Sequence, residues 1–331
     1  MSDGQDSNEG ARDNRPRNLQ GLLNFCTEIT AREDTTGPSR FQGMDPERRS
    51  FLEEALNSMT VDVVKRLADA LKALCSESVT MPGEDVTEQE RAIEIIEEYV
   101  DDLNHAEDLQ KLGGFPILMK CLDSPHTSLR TGAAGLIGDI CQNYLNCQEN
   151  MLSLNIMPVL LHMIDTDEDN QARVKAMYAV SCLIRHCPKG EEQFLKTDGL
   201  SYLMRAMQSD VEKLVVKSAF ILTNFFRKND SHKATALSMG FVEQLLTLLS
   251  NENSDDISRE HCTAALLNLA SSYPPALAEC LRPELNVSQI LTSRLEDIKG
   301  KEELEEEEGY IQEMLELMRR GSAESEENTN R

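Results

Sequence analysis

Tryptophan is absent from the 331 residues, and all aromatic residues together make up only 5 %. A chain so poor in large rings, yet rich in Leu, Ala, Met and Glu, favours helices packed through aliphatic side chains over a β-sandwich. Every apolar run stops well short of the roughly 18 residues that a membrane span needs. The stretch Met1–Asn14 is polar and mostly acidic, with no basic cap leading into an apolar segment, so no secretory signal is read there. The nine cysteines include no CxxC pair, and their odd number and spread from Cys26 to Cys280 argue against a disulfide framework. The expected compartment is the cytoplasm.

Chemistry-bearing patterns are also missing. Cys182, His186 and Cys187 share one helical stretch but lack zinc spacing, and they read as small buried side chains. No nucleophile elbow or Cys–His pattern occurs, and Gly113-Gly114 reads as a turn before a helix, not a phosphate loop. The sequence therefore predicts no catalytic, metal or cofactor residue, and no enzyme.

Acid is abundant, and its location is informative. The formal net charge is −25. Residues 1–111 hold 25 acids and 12 bases, residues 283–331 hold 14 and 6, and the middle, 112–282, holds 19 and 15. The flanks carry the acid. Such a balance repels nucleic acid and anionic membranes, so the expected partner is a protein.

Residues 1–17 have almost nothing to bury and are expected to be disordered. A short apolar cluster follows at Leu19, Leu22, Leu23 and Phe25. Asp45-Pro46 is expected to open a helix, a second is predicted near Val61–Leu74, and a third begins near Val86.

The middle repeats. GGFPILMKCL, NIMPVLLHMI, DGLSYLMRAM and MGFVEQLLTLL begin four segments whose apolar landmarks Phe115, Met157, Leu200 and Phe241 lie 42, 43 and 41 residues apart. Each is followed by a polar turn and a longer helical pattern, in which Thr131, Lys175, Lys217 and His261 align at intervals of 44, 42 and 44. Two independent landmarks with one period predict an all-α, armadillo-like α-solenoid of four repeats over 112–282. The expected flanks are an N-terminal motif and helical cap over 18–111 and an acidic C-terminal cap over 283–318. A loose tail over 319–331 completes the scheme. The run Glu305–Glu308 reads as a solvating feature. Arg319-Arg320-Gly321-Ser322 fits a basophilic kinase target.

A single repeat cannot cover its own apolar face, so neighbours stack, and their long helices line one wall. In the third repeat Ala219, Leu222, Phe225 and Phe226 form the stripe predicted to be buried. Lys217, Phe220, Ile221, Asn224 and Lys228 form the stripe predicted to face the inner wall. Arg173, Lys175, Arg185, Lys213 and Lys217 concentrate positive charge on repeats two and three. Asn224 and Asn268 occupy equivalent places. Partner contact is the favoured reading of this stripe, and a solvated face with inter-repeat hydrogen bonds is the other.

RNLQGLLNF (Arg17–Phe25), ARVKAMYAVSCLIR, GLSYLMRAMQ and KLVVKSAFILTNFF together resemble the heat-shock-protein-seventy-binding protein family, over Arg17 to about Met318. The resemblance implies a nucleotide exchange factor for the cytosolic 70-kDa heat-shock chaperone. Members clasp one lobe of the chaperone's ATPase domain with the concave armadillo face, so that ADP leaves and client is released. On stripe geometry Arg130, Tyr178 and Phe220 join the charged and amide residues above as expected contacts, and the resemblance supplies the partner. Asn18, Leu19, Leu22, Leu23 and Phe25 match the segment linked to client release through the client-binding domain. A strap packed on the first helices is the alternative for that segment. The chain is expected to be a monomer. The competing function is a passive scaffold that binds an extended peptide. The paired inner Trp and Asn residues of nuclear-import adaptors are not matched, because Trp is absent.

Overall fold

The structure, a computed structural model, describes residues 50–51, 62–227 and 230–329, with side chains through 323. The chain divides into two compact units, 1–63 and 64–331. The expected disordered start, the Asn18–Phe25 motif, most of the helix opened by Asp45-Pro46 and Lys228 lie outside the described residues. Of the first unit little more than helical Ser50 and Phe51 is described.

The second unit is helical throughout, with no strand among the described residues. It opens with α1 (Val63–Leu74) and α2 (Thr87–Glu97), close to their predicted places. The repeats follow, and each has three helices where the sequence suggested two. The first contains α3 (Leu103–Lys111), α4 (Gly114–Leu122) and α5 (Thr127–Cys141). The second contains α6 (Leu145–Ser153), α7 (Ile156–Thr166) and α8 (Asn170–Ile184). The third contains α9 (Pro188–Lys196), α10 (Gly199–Met207) and α11 (Glu212–Phe226). The fourth contains α12 (Asp230–Ser238), α13 (Phe241–Ser250) and α14 (Asp256–Ala270).

The overlooked element is the short first helix. Its buried positions are few and partly polar: Cys147, Gln148, Met151 and Leu152 in α6, and only Lys233 and Ala236 in α12. Gln148 shows why a polar residue is buried there. Its amide donates to the carbonyls of Cys182 (2.6 Å) and Arg185 (2.9 Å), near the end of α8. Carbonyls at a helix end lack partners within the helix, and a buried amide satisfies them.

The array also continues past Arg282-Pro283, where the sequence reading ended it. α15 (Pro274–Cys280), α16 (Val287–Ile298) and α17 (Glu305–Thr329) form a fifth three-helix unit. One backbone signature marks every unit. The residue before the second helix is left-handed: Gly113 (φ 80°), Asn155 (58°), Asp198 (58°), Gly240 (82°) and Asn286 (49°). Only Gly, Asn and Asp take that conformation readily, which explains the residue types at this register. The intervals are 42, 43 and 42, then 46 to the fifth unit. The last step is thus longer than the period of the first four units. α17 runs through Thr329, so the expected cap boundary at 318 falls inside a helix.

The long third helices stack side by side in the order α2, α5, α8, α11, α14, α17 and form a ladder. Its core is aliphatic, with fully buried Leu129, Leu136, Ile137, Leu183, Leu214 and Leu222, and with Phe194, Phe226 and Phe241 filling the larger spaces. Truncating any one of these leucines to alanine costs about 2–5 kcal/mol, because neighbours fixed in helices cannot close the cavity.

The acidic run in α17 is not simply solvated. Glu307 is completely buried, and its carboxylate accepts from Arg294 Nε (2.9 Å) and Nη2 (2.6 Å). Arg294 Nη2 also donates to Asp256 at 2.9 Å. This network ties α16 and α17 to the start of α14.

Candidate partner-binding site

The ladder sorts its cations into two groups. Arg130 and Arg173 are used internally. Arg130 grips Asp167 in a two-pronged pair, Nε at 2.7 Å and Nη2 at 2.9 Å, and donates to the Ser124 carbonyl at 3.0 Å. The Asp167 carboxylate beside it raises the Arg130 pKa. Arg173 donates to the Ile164 carbonyl at 2.8 Å and to Asn170 at 3.2 Å. Both guanidinium groups clamp a long helix to the chain at the end of its repeat's second helix.

Lys175, Lys213 and Lys217 form the second group. Among the described residues none of the three has a carboxylate partner. The ammonium groups of Lys175 and Lys217 lie 5.9 and 5.2 Å from the Tyr178 ring centroid, within cation–π range. Tyr178 is fixed by its hydroxyl, which donates to Asp139 at 2.8 Å. Gly138 makes room for it: a Cβ there would stand 2.4 Å from the ring. Burial, together with the like charges of Lys175 and Lys213, depresses the Lys217 pKa. A cation held in that state gains from any anion brought to it.

These lysines line a cleft of about 700 Å³ between α8 and α11, which also reaches Val216 and the exposed Ile257 of α14. The same seam opens again at the far ends of the two helices. There a smaller pocket of about 120 Å³ is floored by Ile184, Ile221 and Phe225 and rimmed by Arg185 and Arg227. At the rim of the smaller pocket Arg185 sits 5.0 Å from the Phe220 ring centroid, and Phe220 lies 6.0 Å from the His261 ring.

The structure therefore brings together Lys175, Tyr178, Arg185, Lys213, Lys217 and Phe220 along one seam. Asn224 lines the small pocket, but its amide donates back to the Phe220 carbonyl at 2.9 Å. Asn268 does the same to Ala264 at 2.8 Å. Neither bridges two repeats. Ile221, placed on the inner stripe by periodicity, is instead buried. Sequence reasoning missed Val216 and Ile257 in the cleft and Arg227 at the small pocket, because the cleft draws on four helices that no single periodic stripe joins.

The described residues contain no group of three or more His, Cys, Asp or Glu able to hold a metal ion. No described helix is long and apolar enough to cross a membrane. Burial pushes the thiols of Cys147, Cys262 and Cys280 up to about 12, which leaves them neutral core side chains.

Three-helix units, left-handed turns at a fixed register and a ladder of third helices define an armadillo-type repeat protein. Solved structures agree on the fold. A designed armadillo repeat protein matches with a TM-score of 0.63 at 16 % identity, over 76 % of this chain and 99 % of that one. A second designed armadillo protein, in complex with the peptide (KR)4, matches at 0.64 and 17 % identity with the same coverages. The family is set by sequence. Residues 19–109 match a profile described as nucleotide exchange factor Fes1, and residues 105–217 match the SIL1/FES1/HPBP1 C-terminal domain. Hsp70-binding protein 1 of mouse and of human are each 37 % identical over 309 residues, covering 91 % of this chain and 85 % of theirs. The nucleotide exchange factor SIL1 of Xenopus laevis is 25 % identical over 70 % of this chain and 55 % of its own. The chain belongs to the SIL1/FES1/HPBP1 family.

Proposed function

We propose that this protein is a nucleotide exchange factor for a cytosolic 70-kDa heat-shock chaperone, and that it acts by binding the chaperone's ATPase domain without catalysing a reaction itself. Family membership supplies the partner. The observation that carries the site is the set of three ammonium groups on the α8–α11 seam without carboxylate partners among the described residues, in a chain whose net charge is −25.

Exchange needs no reacting group on the factor. The ATPase domain holds its nucleotide between two lobes. A protein that binds the open, nucleotide-poor arrangement more tightly shifts the population toward it, and ADP leaves. By linkage, nucleotide must weaken the factor's own hold by the same ratio. A preorganised ladder suits this role, because an array stiffened by buried leucines and by clamps such as Arg130–Asp167 does not bend to follow the closed form.

Stopped-flow release of fluorescent ADP from the purified ATPase domain tests the proposal. Acceleration that saturates with added factor is expected. Unchanged release at saturating factor would refute it. The passive-scaffold alternative predicts binding that is equal with ADP, ATP or no nucleotide.

A further inference from the structure

The α8–α11 seam differs chemically from one end to the other, and this limits what can occupy it. At the N-terminal ends of the two helices the walls are cationic, with Lys175, Lys213 and Lys217, and the exposed Ile257 stands across the cleft. Three carboxylates also reach this cleft. Asp139 is engaged by the Tyr178 hydroxyl, and Asp255 caps α14 by accepting from Ser258 N at 2.5 Å and Ser258 Oγ at 3.1 Å. Glu212, in the first turn of α11, is the remaining one. The lysines therefore outnumber the carboxylates that are free to answer them. At the C-terminal ends the floor turns apolar, with Ile184, Ile221 and Phe225, and the rim carries Arg185 and Arg227 together with one carboxylate, Glu191. A 15-residue helix is about 22 Å long, so the seam spans roughly the length of six or seven extended residues.

We infer that this seam receives a segment of the partner that carries several carboxylates next to an aliphatic or aromatic side chain. The carboxylates would sit among Lys175, Lys213 and Lys217, and the apolar side chain against Ile257 or in the Ile184–Ile221–Phe225 pocket. This rests on the reading that the ladder is the partner-binding surface, and it adds the chemistry of what is bound. Charge complementarity chooses the occupant. A basic segment would add cations to a site where Lys217 is already held against Lys175 and Lys213. A purely apolar segment would leave three half-buried or exposed amines without a counter-charge. An acidic segment removes the repulsion among the lysines and supplies the hydrogen-bond acceptors that they lack. The depressed Lys217 pKa is consistent with this, because docking of an anion would return it toward its ordinary value.

Two side chains separate docking from folding, since Lys213 and Ile257 are both exposed and neither supports the core. The full chain, as wild type, Lys213→Glu and Ile257→Asp, is titrated with the chaperone ATPase domain at several salt concentrations. It is also titrated with two fluorescein-labelled peptides, one of alternating Glu and Leu and one of alternating Lys and Leu. The expected result is that each variant keeps the wild-type melting temperature but binds the ATPase domain about tenfold or more weakly. Lys213→Glu should also flatten the salt dependence. The Glu/Leu peptide should bind wild type, be displaced by the ATPase domain, and lose its hold on Lys213→Glu. Equal affinities and salt slopes for all three proteins would overturn the seam assignment, as would preference for the Lys/Leu peptide. Failure of wild type to bind the ATPase domain, with the Glu/Leu peptide still captured, would sink the partner reading and leave the seam's chemistry standing.

Discussion

The C-terminal end of the ladder and its middle treat charge in opposite ways. Between α16 and α17 Arg294 and Glu307 are buried and fully engaged, with Asp256 completing the network. Between α8 and α11 Lys175, Lys213 and Lys217 face an open cleft with no carboxylate partner among the described residues. Charges satisfied inside the chain hold helices in register. Charges left unsatisfied at a surface are available to another molecule. The difference separates internal clamps from a candidate docking surface more sharply than residue type does, because arginine occurs in both places, as Arg294 in the network and as Arg185 and Arg227 on the open seam.

Removing a buried partner gives the largest expected effect. Arg294→Met leaves the buried Glu307 carboxyl without its partner, and about 3–5 kcal/mol of stability should be lost in urea denaturation. The double variant Arg294→Met/Glu307→Leu should recover most of it. If the single variant loses nothing, the C-terminal network is not architectural and the contrast fails.

Arg130→Ala comes next. It breaks a two-pronged ion pair that is partly exposed and shortens a side chain that also holds the Ser124 carbonyl. A loss of about 2 kcal/mol is expected, with partner affinity little changed once folding is complete. A large loss of affinity in a fully folded Arg130→Ala protein would move this residue from the internal group to the docking group.

Lys217→Met probes the open seam, and its effect on stability at neutral pH should lie within about 0.5 kcal/mol. The pH dependence has a definite sign. The folded-state pKa of Lys217 is depressed, so the unfolded chain binds its proton more tightly. Wild type should therefore gain stability relative to Lys217→Met as pH rises from the depressed value toward 10.5. A difference between the two proteins that does not change with pH, followed by paired denaturation curves, would contradict the assigned environment.

Asn224→Ala and Asn268→Ala should have the smallest effects. Each amide bonds only its own helix in the structure, so stability should change by no more than about 0.5 kcal/mol. Loss of array cooperativity in either variant, seen by calorimetry, would show a bridging role.

The sequence made the array legible because its second helices are amphipathic and their landmarks recur. Phe115, Met157, Leu200 and Phe241 are core residues at one register, and all four are buried. The short first helices were not legible. α12 buries only Lys233 and Ala236, a pattern that carries no amphipathic signal. The ion pairs were hidden for a different reason. Arg130 and Asp167 are 37 residues apart and Arg294 and Glu307 are 13 apart, and nothing in a run of four glutamates marks the buried one. At the site, periodicity located the lysines and Tyr178. It could not show that the α8–α11 seam stands open, since that depends on side chains from four helices meeting in space.

The most direct test measures the affinity of the chaperone ATPase domain for wild type and for Lys175→Glu/Lys217→Glu, each with ADP, with ATP and without nucleotide. The account predicts that wild type binds most tightly when the pocket is empty, and that the charge-reversed protein, with its melting temperature intact, loses at least about tenfold in affinity. Equal binding by the two proteins, or wild-type binding indifferent to nucleotide, would contradict it.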